Sequence, residues 1–205
     1  MKTGICKIVS AGDTSALPTR TEGDLIVACD AGYAALRTAG ITPDAFVGDG
    51  DSLGYIPDVA EKTVLPVVKD DTDTYAAIKY GFERGYSRFE IYGALGGNRF
   101  SHSLANVQSL FYIAEHGGDG AIIDKNCEIR LIREGDELSG EQSGGYFSLF
   151  AVRGDAVVSV DGAKYNGDKI YLSGSTTLGV SNEPAGKIKI SVQSGQVLAV
   201  FEPNT

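Results

Sequence analysis

The 205-residue chain has no tryptophan, one methionine, two histidines and three cysteines. Without tryptophan, aromatic stacking on any ligand falls to tyrosine or phenylalanine. His102 and His116 are too few for the histidine-rich ligand sets common in two-metal hydrolases, which argues against a metal phosphatase. Cys6, Cys29 and Cys127 are far apart and odd in number, with no CxxC pair to suggest zinc. Free, buried thiols in a reducing cytosol are the expectation. Basic residues are also scarce: 18 Lys and Arg stand against 27 Asp and Glu, a net charge of -9, and no basic block exceeds two residues. That balance argues against a nucleic-acid backbone as the main partner. A phosphate-bearing ligand would need to bring a cation or meet a local Arg/Lys cluster. No apolar window approaches the ~18 residues of a membrane span, and the opening MKTGICKIVSAG lacks the apolar core of a secretory signal. The expected location is the cytoplasm, with neither membrane nor nucleic acid as partner.

Over the first ~125 residues, two periodicities alternate. Short apolar runs at 24–30, 44–49, 63–69, 88–95 and 120–125 predict buried strands. Helical patterns fall between several of them. Residues 31–40 are Ala-rich and stop at Gly40, and 71–85 open with capping Asp and Thr and stop at Gly85. In 101–118 the pattern places Leu104, Val107, Leu110, Phe111 and Ala114 on one face. Strand–helix alternation predicts a mostly parallel α/β sheet with ligands at the carboxyl ends of its strands. Beyond ~125 the chain shows short β-branched runs punctuated by Gly, Asp, Asn and Ser, which predict a small antiparallel β-sandwich or barrel. Within it, KIKISVQSGQVLAVFE reads as a hairpin around Ser194-Gly195. The expected domains are 1–127 and 128–205.

The stretch VGDGDSLG, Val47 to Gly54, sets two carboxylates at the end of an apolar run in an acidic protein. Aspartates mark other strand ends too: Asp30 after LIVAC, and Asp70, Asp71 and Asp73 after TVLPVVK. A single Asp often does no more than fill a turn or cap a helix. Strand ends of a parallel sheet share one edge, however, so three segments bring their carboxylates together. Such a cluster repels itself unless a cation sits in it, and hard oxygen ligands suit magnesium.

A second group is YGALGGNRFSHSLAN, 92–106. Gly96, Gly97 and Asn98 form a turn before a helix start, where free N–H groups suit phosphate oxygens, and Arg99 adds a fork of donors. His102 either donates to a phosphate or caps and packs. His116, ahead of Gly117-Gly118, complements the helix dipole instead. A third stretch, LSGSTTLGVSNEPAG at 172–186, is either a turn-rich loop or a set of hydroxyls and the Asn182 amide that recognises a heteroaromatic ligand.

Taken in order, CDAG (29–32), TPDAFVGDGDSLG (42–54), DDTDT (70–74), GALGGNRFSHSLAN (93–106) and TTLGVSNEPAGKIKISVQSG (176–195) resemble the thiamine pyrophosphokinase family over nearly the whole chain. The resemblance implies an N-terminal α/β domain, a C-terminal β-sandwich and a homodimer with active sites near the subunit interface. It implies that the hydroxyl of thiamine attacks the β-phosphorus of ATP, releasing AMP and forming thiamine diphosphate. By position, Asp49, Asp51 and Asp73 would hold Mg2+ on the triphosphate and Asp30 would face the nucleotide. Asp70 and Thr72 would assist the metal shell or nucleotide, Arg99 and His102 would lie near the phosphates, and Ser181 and Asn182 would contact thiamine.

There are departures. Ala31 and Gly50 replace a glycine and an aromatic of the family pattern, and Ser101 stands where an aspartate precedes His. Alternatives of other kinds are a non-catalytic thiamine or nucleotide sensor and a diphosphokinase acting on a hydroxymethylpterin.

Overall fold

A four-residue strand with a lysine in it, Cys6–Val9 (β1), lies at the centre of the N-terminal sheet. The computed structural model of the chain describes residues 2–66, 71–142 and 144–203. Two compact units divide it, Met1–Lys125 and Asn126–Thr205. In the first, β1 is followed by β2 (Leu25–Cys29), α1 (Gly32–Thr38), β3 (Ala45–Gly48), β4 (Glu61–Val64), α2 (Asp73–Glu83), β5 (Arg88–Tyr92), α3 (Phe100–Glu115) and β6 (Asp119–Ile123). These strands run in the order β4-β3-β2-β1-β5-β6, every pair parallel. Ile8, Ile26, Phe46, Ile91 and Ile122 are fully buried along the middle of the sheet, with Leu36, Ile78, Leu110 and Ile113 of the helices. The strand order reverses between β1 and β5, and such a switch point opens a crevice at the carboxyl edge of a sheet.

Three details differ from the sequence reading. β1 carries no strong strand signal, because Lys7 interrupts its apolar run. The strand expected at 63–69 is Glu61–Val64, and its last residues, 67–69, lie outside the described residues. On α3, Leu104 is 52% exposed and the buried face runs through Ser103, Asn106, Leu110 and Ile113. Polar Ser103 and Asn106 hid that stripe, since the glycine turn beside them supplies their hydrogen-bond partners.

The second unit holds β7 (Glu128–Arg133), β8 (Glu137–Gln142), β9 (Tyr146–Ala151), β10 (Ala156–Ala163), β11 (Gly167–Leu172), β12 (Pro184–Ser194) and β13 (Gln196–Glu202). β13 pairs antiparallel with β7 and β9, and β11-β10-β12-β8 form a four-stranded antiparallel sheet. Val158, Ile188, Ile190 and Val192 from the one sheet and Phe147, Val197, Ala199 and Phe201 from the other form a shared core, so the unit is a β-sandwich. The hairpin expected at Ser194-Gly195 is not one. β12 and β13 belong to different sheets, and the turn carries the chain across the core. Both strands alternate apolar and polar residues, and their apolar faces meet across the sandwich instead of pairing edge to edge. Gly195 makes the crossing with φ 78°, and a Cβ there would lie 2.3 Å from the Asp155 carbonyl oxygen. Cys6 and Cys29 are buried, as expected, but Cys127 is only half-buried.

Candidate active site

The crevice at the carboxyl edge of the parallel sheet is a cleft of about 390 Å³. Its floor is backbone. After β1, Gly12 N–H donates to the Gly93 carbonyl and Asp13 N–H to the Leu95 carbonyl, at 2.8 and 2.7 Å, which clamps the loop after β1 onto the loop after β5. The approach is so close that a Cβ on Gly12 would sit 2.2 Å from the Leu95 oxygen. From α3, buried Asn106 donates to the Ala94 carbonyl at 2.7 Å, holding the glycine turn from beneath. Gly93, Gly96 and Gly97 all have positive φ.

Aspartates form one wall. Asp30, Asp49 and Asp51 each place a carboxylate oxygen within 4.8 Å of the others. Asp49 Oδ1 accepts the Asp51 N–H at 3.1 Å, and the Gly50 carbonyl accepts the N–H groups of Leu53 and Gly54. Asp73, first residue of α2, hydrogen-bonds to Asp30. Burial first, then the Asp73 hydrogen bond and charge, with a smaller push from the Asp49 charge, raise Asp30 to about 7 against the pull of the Gly50 N–H. Thr72 is the N-cap of α2, its hydroxyl accepting the Tyr75 N–H at 3.2 Å. Asp71 pairs with Lys79 at 2.6 Å. Arg99 precedes α3 without a side-chain capping bond, and His102 sits in the first turn of that helix.

Asp30, Asp49, Asp51, Thr72, Asp73, Gly96, Gly97, Asn98, Arg99 and His102, all singled out in the sequence, line this one cleft. Asp70 lies outside the described residues. Sequence reasoning missed Ser10, Gly12 and Thr74; Ser10 and Thr74 join the first loop to α2 through hydroxyls 2.5 Å apart. The small residues of VSAG were the available signal. Among the described lining residues, five carboxylates face a single arginine. A cleft whose acidic donors are all carboxylate oxygens fits a hard divalent cation such as Mg2+ and does not suit a soft metal.

Ser181 and Asn182 belong to the second unit. Ser181 is exposed, with φ 59°. The Asn182 side chain is engaged locally: its Oδ1 accepts the N–H groups of Tyr165 and Glu183, both at 3.0 Å, and its Nδ2 donates to the Tyr165 carbonyl at 2.9 Å.

Two family models match the chain. "Thiamin pyrophosphokinase, catalytic domain" covers residues 19–119, and "Thiamin pyrophosphokinase, vitamin B1 binding domain" covers 127–197. A search of curated proteins returned no significant match. Among solved structures, thiamine pyrophosphokinase from Bacillus subtilis superposes with a TM-score of 0.87 at 24% identity, over 98% of this chain and 100% of that one. The enzyme from Geobacillus thermodenitrificans gives 0.84 at 25% identity, over 98% of each chain. The one from Candida albicans gives 0.76 at 14% identity, over 99% of this chain and 90% of that one.

Proposed function

The chain belongs to the thiamin pyrophosphokinase family, and we propose that it transfers the pyrophosphoryl group of ATP to the hydroxyl of thiamine. The observation that carries this reading is the single cleft in which Asp30, Asp49, Asp51 and Asp73 from three segments meet a glycine turn and Arg99. The hydroxyl oxygen of thiamine bonds to the β-phosphorus. The bond from that phosphorus to the α–β bridging oxygen breaks, AMP leaves with that oxygen, and the hydroxyl proton is released.

Such a transfer asks mainly for positioning and charge neutralisation. Asp49, Asp51 and Asp73 are the residues that would hold Mg2+, which when bound neutralises charge on the phosphoryl oxygens. Gly96, Gly97 and Asn98 let backbone close on the phosphates, and Arg99 donates to the transferred group. His102, half-buried beside Arg99 in the cleft, is a further donor to the phosphates. Thr72 holds Asp73 in place by capping α2. Ser181 presents an exposed hydroxyl to thiamine; Asn182 shapes that loop and keeps one amide hydrogen for the ligand. Tyr146, Phe150, Leu178 and Val180 leave apolar surface exposed in the second unit, which suits burial against a second copy in a homodimer. Cysteines without disulfide bridges suit a cytoplasmic setting.

AMP release measured with thiamine and with hydroxymethylpterin as competing acceptors tests this reading. Release with thiamine alone supports it; release with the pterin alone, or nucleotide binding without AMP release, overturns it.

A further inference from the structure

Asp30 is the one buried carboxylate among the described residues of the cleft, 7% exposed. Its side chain joins three segments. It closes β2 with left-handed backbone, φ 42°. Its Oδ1 accepts the Gly50 N–H at 3.1 Å, and its carboxyl hydrogen-bonds to Asp73 at the start of α2. The bond to Gly50 holds the turn that carries Asp49 and Asp51; the bond to Asp73 holds the first residue of α2. The carboxyl fits only because Gly48 has no side chain: a Cβ there would stand 2.3 Å from Asp30 Oδ1 and 3.0 Å from its Cγ. Gly48 is not among the positive-φ glycines, so lack of space is what bars a side chain there.

We propose that Asp30 is a positioning residue whose carboxyl, admitted by Gly48, sets where Asp49, Asp51 and Asp73 stand, and that it does not itself ligate the cation. This rests on the cleft being a divalent-cation site. Asparagine separates the two roles. Its Oδ1 accepts from Gly50, its Nδ2 donates to Asp73, and it tolerates left-handed backbone. Gly48→Ala leaves every carboxylate in the chain and presses hardest on the Asp30 carboxyl, with the Asp30 backbone N next at 3.3 Å.

The test is Mn2+ titration of the full-length chain by electron paramagnetic resonance, without nucleotide or thiamine, on wild type, D30N, D30A, G48A, the D30A/G48A double variant and D49N. D30N is expected to weaken Mn2+ binding by less than about tenfold, because asparagine keeps both positioning hydrogen bonds. G48A and D30A are each expected to weaken it about 10- to 100-fold, as loss of a residue orienting metal ligands does. The double variant should be little weaker than D30A alone, because the two closest contacts of a Cβ at position 48, 2.3 and 3.0 Å, are both with the Asp30 carboxyl. The proposal is overturned if D30N loses as much affinity as D49N, if G48A binds as wild type does, if the double variant is additive, or if wild type binds no Mn2+. Because the readout uses no acceptor, the proposed reaction can fail while this assignment stands, and the reverse also holds.

Discussion

Lys7 Nζ lies 2.6 Å from Asp24 Oδ2, with both side chains almost wholly buried, 6% and 4% exposed. The ammonium also donates to the Thr19 carbonyl, and Asp24 accepts the N–H groups of Ile5 and Thr21. A buried pair survives when its remaining donors and acceptors are satisfied, as most are here. It fastens β1 beside β2 and so supports the loop from Ser10 to Gly12 that floors the cleft. Removing one partner leaves the other charged and buried. Asp24→Asn or Lys7→Met is expected to lower unfolding free energy by about 3 kcal/mol in urea melts; a loss below about 0.5 kcal/mol would contradict the burial of the pair.

The same pair gives an acid limb to stability. Burial alone would raise Asp24, but the Lys7 hydrogen bond, the Ile5 N–H, the Lys7 charge and the Thr21 N–H outweigh it and hold the carboxyl below its ordinary 3.8. A carboxyl lowered in the folded state contributes stability that is complete above its unfolded value and drains away as pH falls through the folded one. Wild type is therefore expected to lose stability below about pH 4 more steeply than D24N, as thermal melts across pH 2.5–6 would show. Parallel pH profiles would contradict this.

How much was legible follows from these residues. Runs such as LIVAC and AFVG announce β2 and β3 because buried parallel strands are continuously apolar. The aspartates and glycines after them announce the cleft because catalytic loops gather at one sheet edge. β1 stayed hidden because its lysine is neutralised by a residue 17 positions away, a partner no local pattern reveals. The crossing at Gly195 stayed hidden for a related reason: alternation shows which face of a strand is buried, not which strand lies beside it. Asp30 was legible as a residue of the shared sheet edge, whereas its contact with Gly48 needed coordinates.

Asp49→Asn and Asp73→Asn are expected to cut turnover by about two orders of magnitude or more, comparable to losing a key electrostatic contact in a transition state. Mg2+ should raise the melting temperature of wild type and leave that of D49N nearly unchanged. Near wild-type kinetics in both variants would remove these carboxylates from the proposed metal site.

Arg99→Ala should raise KM for ATP and lower kcat, because no other described lining residue carries a permanent positive charge. A tenfold or greater fall in kcat/KM, about 1.4 kcal/mol, is the expected scale. Unchanged kinetics would place Arg99 outside the phosphate site.

Asn182→Ala orphans two backbone N–H groups and the Tyr165 carbonyl. The expected result is a loss of about 1 kcal/mol of stability together with a raised KM for thiamine. A raised KM with an unchanged melting temperature would show that the side chain serves only the ligand and does not pin the loop.

The most direct measurement follows the purified chain with ATP, Mg2+ and thiamine by phosphorus NMR, resolving every nucleotide and thiamine ester. One AMP is expected for each thiamine diphosphate formed, with no thiamine monophosphate on the way. ADP accompanied by thiamine monophosphate, or ATP left intact beside unmodified thiamine, would contradict it.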